Sequence, residues 1–208
     1  MITSKKELNF YIKADRMMNR GCFDYSLKKK IQNFLFPDLI MRYLEVMRKA
    51  QYYSNCSLGG ANHCFALYYK NRFYKLGLKL GFSIGYNVFG YGLVLPHYGT
   101  IVVGGCNRIG NYAVLHTSTC ISDNGKVIGN GLYLSTGAKI TSKIILGNGI
   151  TIGANSLVNK SCEEDNYMLG GMPAKKIKEL PVWYEREAGS HLERMKRIEE
   201  LKSTMLGD

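Results

Sequence analysis

Residues 109–158 read IGNYAVLHTSTCISDNGKVIGNGLYLSTGAKITSKIILGNGITIGANSLV. An aliphatic residue returns there at Ile109, Leu115, Ile121, Ile128, Leu134, Ile140, Leu146, Ile152 and Val158. The step is six residues, with one of seven between Ile121 and Ile128. Upstream, Phe89, Leu95 and Ile101 keep the same step, and eight residues then lead to Ile109. Glycine follows the repeat residue at 90, 110, 129, 147 and 153, and a small residue (Ala113, Thr119, Ala138, Ser156) stands four positions after several of them. Helices repeat near 3.6 residues, and a sandwich strand alternates at two over a short run, so neither sustains a mark at every sixth residue. Three hexads close one triangular coil, and coils stacked about 4.8 Å apart bury the aliphatic ladder. The period therefore predicts a parallel β-helix of four coils, where a glycine-rich β-sandwich would show no such repeat. The two longer joins place extra residues at corners, where sites are built.

The flanks differ. The chain has 208 residues, 46% hydrophobic and 12% aromatic, which suits one domain or a domain with an appendage and excludes wholesale disorder. Fifteen of its 23 glycines lie in 81–160. Residues 1–80 carry helical patterning. Ser4-Lys5-Lys6-Glu7 fits a capping box; a second helix starts at Ser26; Pro37-Asp38 opens a third, with Leu39, Ile40, Tyr43, Leu44 and Met47 on one face. Ser57-Leu58-Gly59-Gly60 breaks it, and a fourth helix runs from about Ala61 to Leu80. Beyond residue 178, Pro181 precedes a helix to about Met205, with Leu192, Met195, Ile198, Leu201 and Met205 as one apolar stripe for its own protein, a sister subunit or a partner. The expected organisation is an α-helical region (1–80), a β-helix (81–178) and a C-terminal helix (179–208). No apolar run reaches the roughly 18 residues of a membrane span. The charged N-terminus lacks the apolar stretch of a signal peptide, so a cytoplasmic location is expected. The six cysteines form no C-x-x-C pair and read as small buried hydrophobes.

The net charge of +12 raises nucleic-acid binding, but its distribution argues otherwise. Residues 1–80 hold 15 basic and 5 acidic residues, 81–160 hold 5 and 1, and 161–208 hold 8 and 10. The excess sits on helices, as a solvated outer face. Asp123 is the one acid in 81–160, so chemistry there cannot rest on a carboxylate pair. His97 and His116 are the two histidines of the repeat region, both placed near a coil corner. A neutral imidazole is a suitable base for a hydroxyl proton at neutral pH. Cys106 and Cys120 lack a basic partner to make them nucleophiles, and a zinc site needs three convergent histidines. No metal is expected. Tyr98 and Tyr91 flank His97 and read equally as acceptor-pocket walls or as ordinary surface or interface aromatics.

The stretch Gly92-Leu93-Val94-Leu95-Pro96-His97-Tyr98-Gly99-Thr100-Ile101-Val102-Val103-Gly104 resembles the catalytic coil of the serine acetyltransferases, left-handed β-helix enzymes built of hexapeptide repeats. The resemblance continues through Gly137-Ala138-Lys139-Ile140, Ile152-Gly153-Ala154-Asn155-Ser156-Leu157-Val158 and Gly171-Met172-Pro173-Ala174-Lys175-Lys176-Ile177, covering about residues 81–178. It implies an acetyl-CoA-dependent O-acetyltransferase with His97 as catalytic base. Thr136, Gly137 and Ala154 match positions against the pantetheine arm, and Lys175 and Lys176 the region of the nucleotide phosphates. It also implies a homotrimer with active sites between subunits.

Two departures shape the expected acceptor. The family aspartate that orients the histidine, about fifteen residues upstream, is replaced by Phe82-Ser83, leaving Asp123, a helical-region acid or a backbone carbonyl to do so. The insertion carrying a second, serine-binding histidine is reduced to the tight turn Ser122-Asp123-Asn124-Gly125-Lys126. The pattern resembles the branch associated with surface-polysaccharide O-acetylation, with His116, Tyr98 and Asp123 as candidate acceptor-binding or supporting residues. A sugar hydroxyl is the leading acceptor. Serine, or a non-catalytic trimeric binding module on the same fold, are the alternatives.

Overall fold

The computed structural model describes residues 2–56, 61–186 and 189–207. Four helices come first: α1 (Lys5–Arg20), α2 (Leu27–Leu35), α3 (Leu39–Asn55) and α4 (Ala61–Leu80). Eleven short strands then wind the solenoid: β1 (Phe82–Ile84), β2 (Ile101–Val103), β3 (Arg108–Ile109), β4 (Val114–Leu115), β5 (Thr119–Ile121), β6 (Val127–Ile128), β7 (Tyr133–Leu134), β8 (Lys139–Ile140), β9 (Ile145–Leu146), β10 (Thr151–Ile152) and β11 (Leu157–Val158). A hairpin of β12 (Tyr167–Gly171) and β13 (Ala174–Glu179), a 3-10 turn (Trp183–Glu185) and α5 (Ser190–Leu206) complete the chain.

The strands stack in parallel into three faces, β1-β2-β5-β8-β11, β3-β6-β9 and β4-β7-β10-β12, with β13 added antiparallel to the last. This is a left-handed β-helix. Its interior is three columns of five residues. The first face supplies Ile84, Val103, Ile121, Ile140 and Val158; the second Phe89, Ile109, Ile128, Leu146 and Cys162; the third Leu95, Leu115, Leu134, Ile152 and Leu169. All fifteen are buried, and burying one Val, Leu, Ile or Phe side chain contributes about 1.5–3 kcal/mol.

The register corrects the sequence reading twice. Val103, not Ile101, stands over Ile121; Ile101 pairs with Phe82 and Thr119 instead. The extra residues lie before β2, in the corner 96–100, so the corner that carries His97 is the widened one. The columns also hold five members where the period gave four coils, because Ile84 and Leu169 extend it at both ends.

The helical starts follow the expected chemistry. Ser4 Oγ accepts from the Glu7 N–H (3.1 Å) and Glu7 Oε2 from the Ser4 N–H (2.9 Å). Ser26 and Asp38 cap α2 and α3. The expected break at 57–60 lies outside the described residues. Residues Ile40, Tyr43, Leu44 and Met47 of α3, with Phe73 and Leu80 of α4, join the core of the first coil, so this helix pair closes one end of the solenoid. By contrast, α2 buries none of its residues and leaves Leu27, Ile31, Phe34 and Leu35 exposed.

One basic residue departs from the solvated-face reading. Arg48 of α3 is wholly buried and pairs with Asp15 of α1 through two bonds (2.8 and 3.1 Å), while also donating to the carbonyls of Phe89 (2.9 Å) and Gly90 (2.6 Å). Asp15 in turn accepts from the Leu93 N–H (3.0 Å). A buried pair with its remaining hydrogen-bonding groups satisfied fixes geometry; here it locks α1, α3 and the first coil together. The cysteines also differ from expectation. Cys162 sits in the core, but Cys64 and Cys106 are exposed, and all six are free.

The C-terminal helix is split. The Trp183 indole N–H donates to the Tyr112 carbonyl (2.8 Å), holding the 3-10 turn on the third face. Beyond it, Met195, Ile198, Leu201 and Met205 of α5 pack with Phe10, Ala14, Met17 and Met18 of α1. These four of the five stripe residues are therefore seated on their own chain.

Candidate active site

Each coil turns three times, and the corner from the third face to the first gathers most of the expected site residues. Thr117-Ser118, Thr136-Gly137 and Ala154-Asn155 lie on successive coils there. The Ser118 N–H donates to the Thr100 carbonyl (2.6 Å), Gly137 to Thr117 (3.1 Å) and Asn155 to Thr136 (3.0 Å). The second residue of each pair has positive φ: 62° at Ser118, 74° at Gly137 and 55° at Asn155. Gly137 is required on a second count, since a Cβ there would lie 2.0 Å from Asn155 Oδ1. The first residue of each pair, Thr117, Thr136 and Ala154, has an N–H that donates no hydrogen bond among the described residues. Thr136 and Ala154 are exposed, so water or a ligand can take those protons.

His97 stands at the head of this column, exposed, in the widened corner between Leu95 and β2, with Tyr98 exposed beside it. His116 is half-buried on the next coil, its Nε2 2.8 Å from Tyr133 Oη. Burial first, and then the charge of His97, hold its pKa below the ordinary histidine value. His97 and His116 thus lie on adjacent coils, following Leu95 and Leu115, which stack.

Other expected residues fall elsewhere. Asp123 lies on the corner between the first and second faces and accepts from the Cys106 N–H (2.8 Å), a bond that holds its carboxyl below the usual range. His97 is on a different corner, so Asp123 does not serve it. Cys106 shares that turn, and its hydrogen bond to Asp123 raises the thiol pKa, which disfavours the nucleophilic thiolate. Tyr91 is buried between α1 and α5, with its hydroxyl on Glu199 (2.9 Å), and is no pocket wall. Lys175 and Lys176 are exposed on β13. Lys176 is engaged by Glu164 and lies over the Tyr167 ring (4.7 Å), and its hydrogen bond to Glu164 raises its pKa.

Beside the His97 corner, a cleft of about 380 Å3 opens between the third face and the ends of α1 and α5. The sequence reading missed its wall residues Tyr133, Trp183 and Arg194, because three separated segments bring them together. No three His, Cys, Asp or Glu side chains gather as a metal site among the described residues. No helix among them is long and apolar enough to cross a membrane.

The fold is that of the hexapeptide-repeat acyltransferases of the serine acetyltransferase type. The serine acetyltransferase of Neisseria gonorrhoeae superposes with a TM-score of 0.58 at 21% identity, over 83% of this chain and 65% of that one. That of Brucella abortus strain S19 gives 0.57 at 23%, over 84% and 69%. In sequence, the chain is 33% identical over 100 residues to the serine acetyltransferase of Buchnera aphidicola subsp. Acyrthosiphon pisum (44% of this chain, 36% of that protein). It is 37% identical over 67 residues to the Escherichia coli K12 protein named "Putative lipopolysaccharide biosynthesis O-acetyl transferase WbbJ" (30% and 34%). These matches span about a third of each curated relative. No family model matches the chain.

Proposed function

We propose that the protein is an acetyl-CoA-dependent O-acetyltransferase that acetylates a sugar hydroxyl in a surface polysaccharide or its precursor. The observation that carries this reading is the pairing of His97 with the open column of N–H groups at Thr117, Thr136 and Ala154 below it. Such a column suits an extended amide-bearing chain such as pantetheine. An exposed imidazole at its head suits the end where the thioester lies.

In the proposed reaction His97 takes the proton of the acceptor hydroxyl as its oxygen attacks the thioester carbonyl carbon. The tetrahedral oxyanion would be held by backbone N–H groups. The C–S bond then breaks, the ester is released, and the coenzyme A thiolate leaves with the proton from His97. Lys175, which has no ion pair among the described residues, is a candidate for the nucleotide phosphates. The active form is proposed to be a homotrimer; exposed Val102, Val127 and Ile145 on the outer faces support self-association.

Thiol release from acetyl-CoA, measured with sugar acceptors and separately with serine, tests the reading. Turnover with sugars and not with serine is expected. Turnover with serine alone would replace it by serine O-acetylation, and failure to bind acetyl-CoA in calorimetry would leave a non-catalytic module. Sedimentation velocity reads the trimer.

A further inference from the structure

We infer that the cleft on the third face is the acceptor site, and that its acceptor is a sugar carrying an anionic group. The inference rests on the acetyltransferase reading for its chemistry, but the cleft can be tested without it.

Position comes first. Pro96, covalently next to His97, forms part of the wall, and His116, which feels the charge of His97, forms another part. A ligand in the cleft therefore lies beside the proposed base. The volume, about 380 Å3, falls in the range of small-molecule sites.

Charge comes next. The lining includes Arg20, Arg194, His116 and His191 and, among the described residues, no Asp or Glu. Arg20 is held by Asp38 (2.6 Å), which limits its share. Arg194 donates from Nη1 to the Met18 carbonyl (2.9 Å), and no carboxylate lies within ion-pair distance of it among the described residues. A guanidinium has five N–H donors, and carboxylates or phosphates accept two at once. His116, held below the ordinary histidine pKa, serves as a neutral hydrogen-bonding group, so the charge rests mainly on Arg194. With no carboxylate in the lining among the described residues, the cleft gives no partner to the ammonium of a free amino acid. It favours an anion.

Shape points to a sugar. Trp183 is fixed by its bond to the Tyr112 carbonyl and packs edge-on to His191, with ring centroids 5.3 Å apart. Tyr133 lies 6.4 Å away. An aromatic wall suits the C–H face of a pyranose, while the hydrogen-bonded pair His116–Tyr133 supplies polar contacts for its hydroxyls.

The test is calorimetry on the whole chain without acetyl-CoA, using methyl β-D-glucuronide, glucose 1-phosphate and methyl β-D-glucoside. The two anionic sugars are expected to bind about tenfold or more tightly than the neutral one, the worth of a hydrogen bond to a charged group. Arg194→Gln should remove that preference, Arg194→Lys restore part of it, and coenzyme A affinity stay unchanged in both. His191→Gln gives a second reading should Arg194→Gln melt early. In turnover, Arg194→Gln should raise KM for the anionic sugar more than it lowers kcat. Equal binding of all three sugars, no binding of any, or an anionic preference that survives both substitutions would overturn the inference. Loss of thiol release with sugar binding intact would instead overturn the acetyltransferase reading.

Discussion

Two corners of the same β-helix solve the same problem differently. At the corner between the second and third faces, Asn111-Tyr112, Asn130-Gly131 and Asn148-Gly149 turn the chain with the geometry used at Thr117-Ser118, Thr136-Gly137 and Ala154-Asn155. In both, the second residue has positive φ, and its N–H donates to a carbonyl of the previous coil. The difference lies in the residue before it. Asn111 Oδ1 accepts from the Tyr91 N–H (3.1 Å), Asn130 from Asn111 (2.8 Å), Asn148 from Asn130 (2.9 Å) and Asp165 from Asn148 (2.6 Å). This side-chain ladder closes one corner on itself. Among the described residues the His97 corner has no such ladder, and its N–H groups remain available. A repeat that can cap its own turns, yet leaves one set open beneath a histidine, separates a corner that holds the solenoid together from the corner proposed to bind the ligand.

The sharpest way to break that separation is a pair of substitutions. His97→Ala should lower the acetylation rate by about 10²–10⁴, the usual worth of a general base, with the melting temperature unmoved because His97 is exposed. Asn130→Ala should do the reverse. It strips the Asn111 N–H of its partner at a solvent-exposed bond, costing about 0.5–1.5 kcal/mol, read by urea unfolding, with the rate retained. If Asn130→Ala abolished turnover in a protein that remained folded, the two corners would not divide the work as argued.

Gly137→Val is expected to fall between these in effect. A β-branched residue at φ +74° is strained, at roughly 1–2 kcal/mol for the left-handed conformation. The Asn155 amide, 2.0 Å from the new Cβ, must also move. Because Gly137 lies between Thr136 and the coil below, acetyl-CoA affinity should fall along with stability. Gly131→Val, at φ +71° on the closed corner, should cost stability and leave that affinity alone. Calorimetric titration of acetyl-CoA into both variants separates the two outcomes.

The six-residue period made most of this legible, since an inward aliphatic at each face leaves a direct mark in the sequence. The helix starts at Ser4, Ser26 and Asp38 were readable for the same reason: capping is local chemistry. The register slip at Ile101 was not, because inward Ile101 and Val103 are both apolar and only stacking against β1 and β5 chooses between them. The asparagine ladder was present as Gly-Asn at 110–111, 129–130 and 147–148, one coil apart, but it needs the turn geometry before it reads as more than a polar loop. The cleft was least legible. Asn19, His116, Trp183 and Arg194 meet only after α1 and α5 dock, and that docking depends on Asp15–Arg48 and on Glu199 with Tyr91 and Tyr112. Contacts that long in sequence leave no periodic trace.

The smallest expected effect tests whether the open corner is also an electrostatic unit. His116 has a folded-state pKa below its ordinary value, because burial and then the charge of His97 disfavour its protonation. The sign follows from linkage. Below about pH 6.5 the unfolded chain takes up a proton that folded His116 refuses, so this group's contribution to stability falls with pH until its folded pKa is reached. His97→Ala removes the second cause and leaves burial in place. The His116 ring-proton titration followed by NMR should then move upward, though not fully to the ordinary value, and the acid-side loss of stability should become shallower. An unchanged His116 titration in that variant would mean the two imidazoles do not sense one another, and that His116 belongs to the cleft without being coupled to the base. Asn130→Ala, on the closed corner, should leave the titration where it is. The coupling would then belong to the corner where the chemistry is proposed.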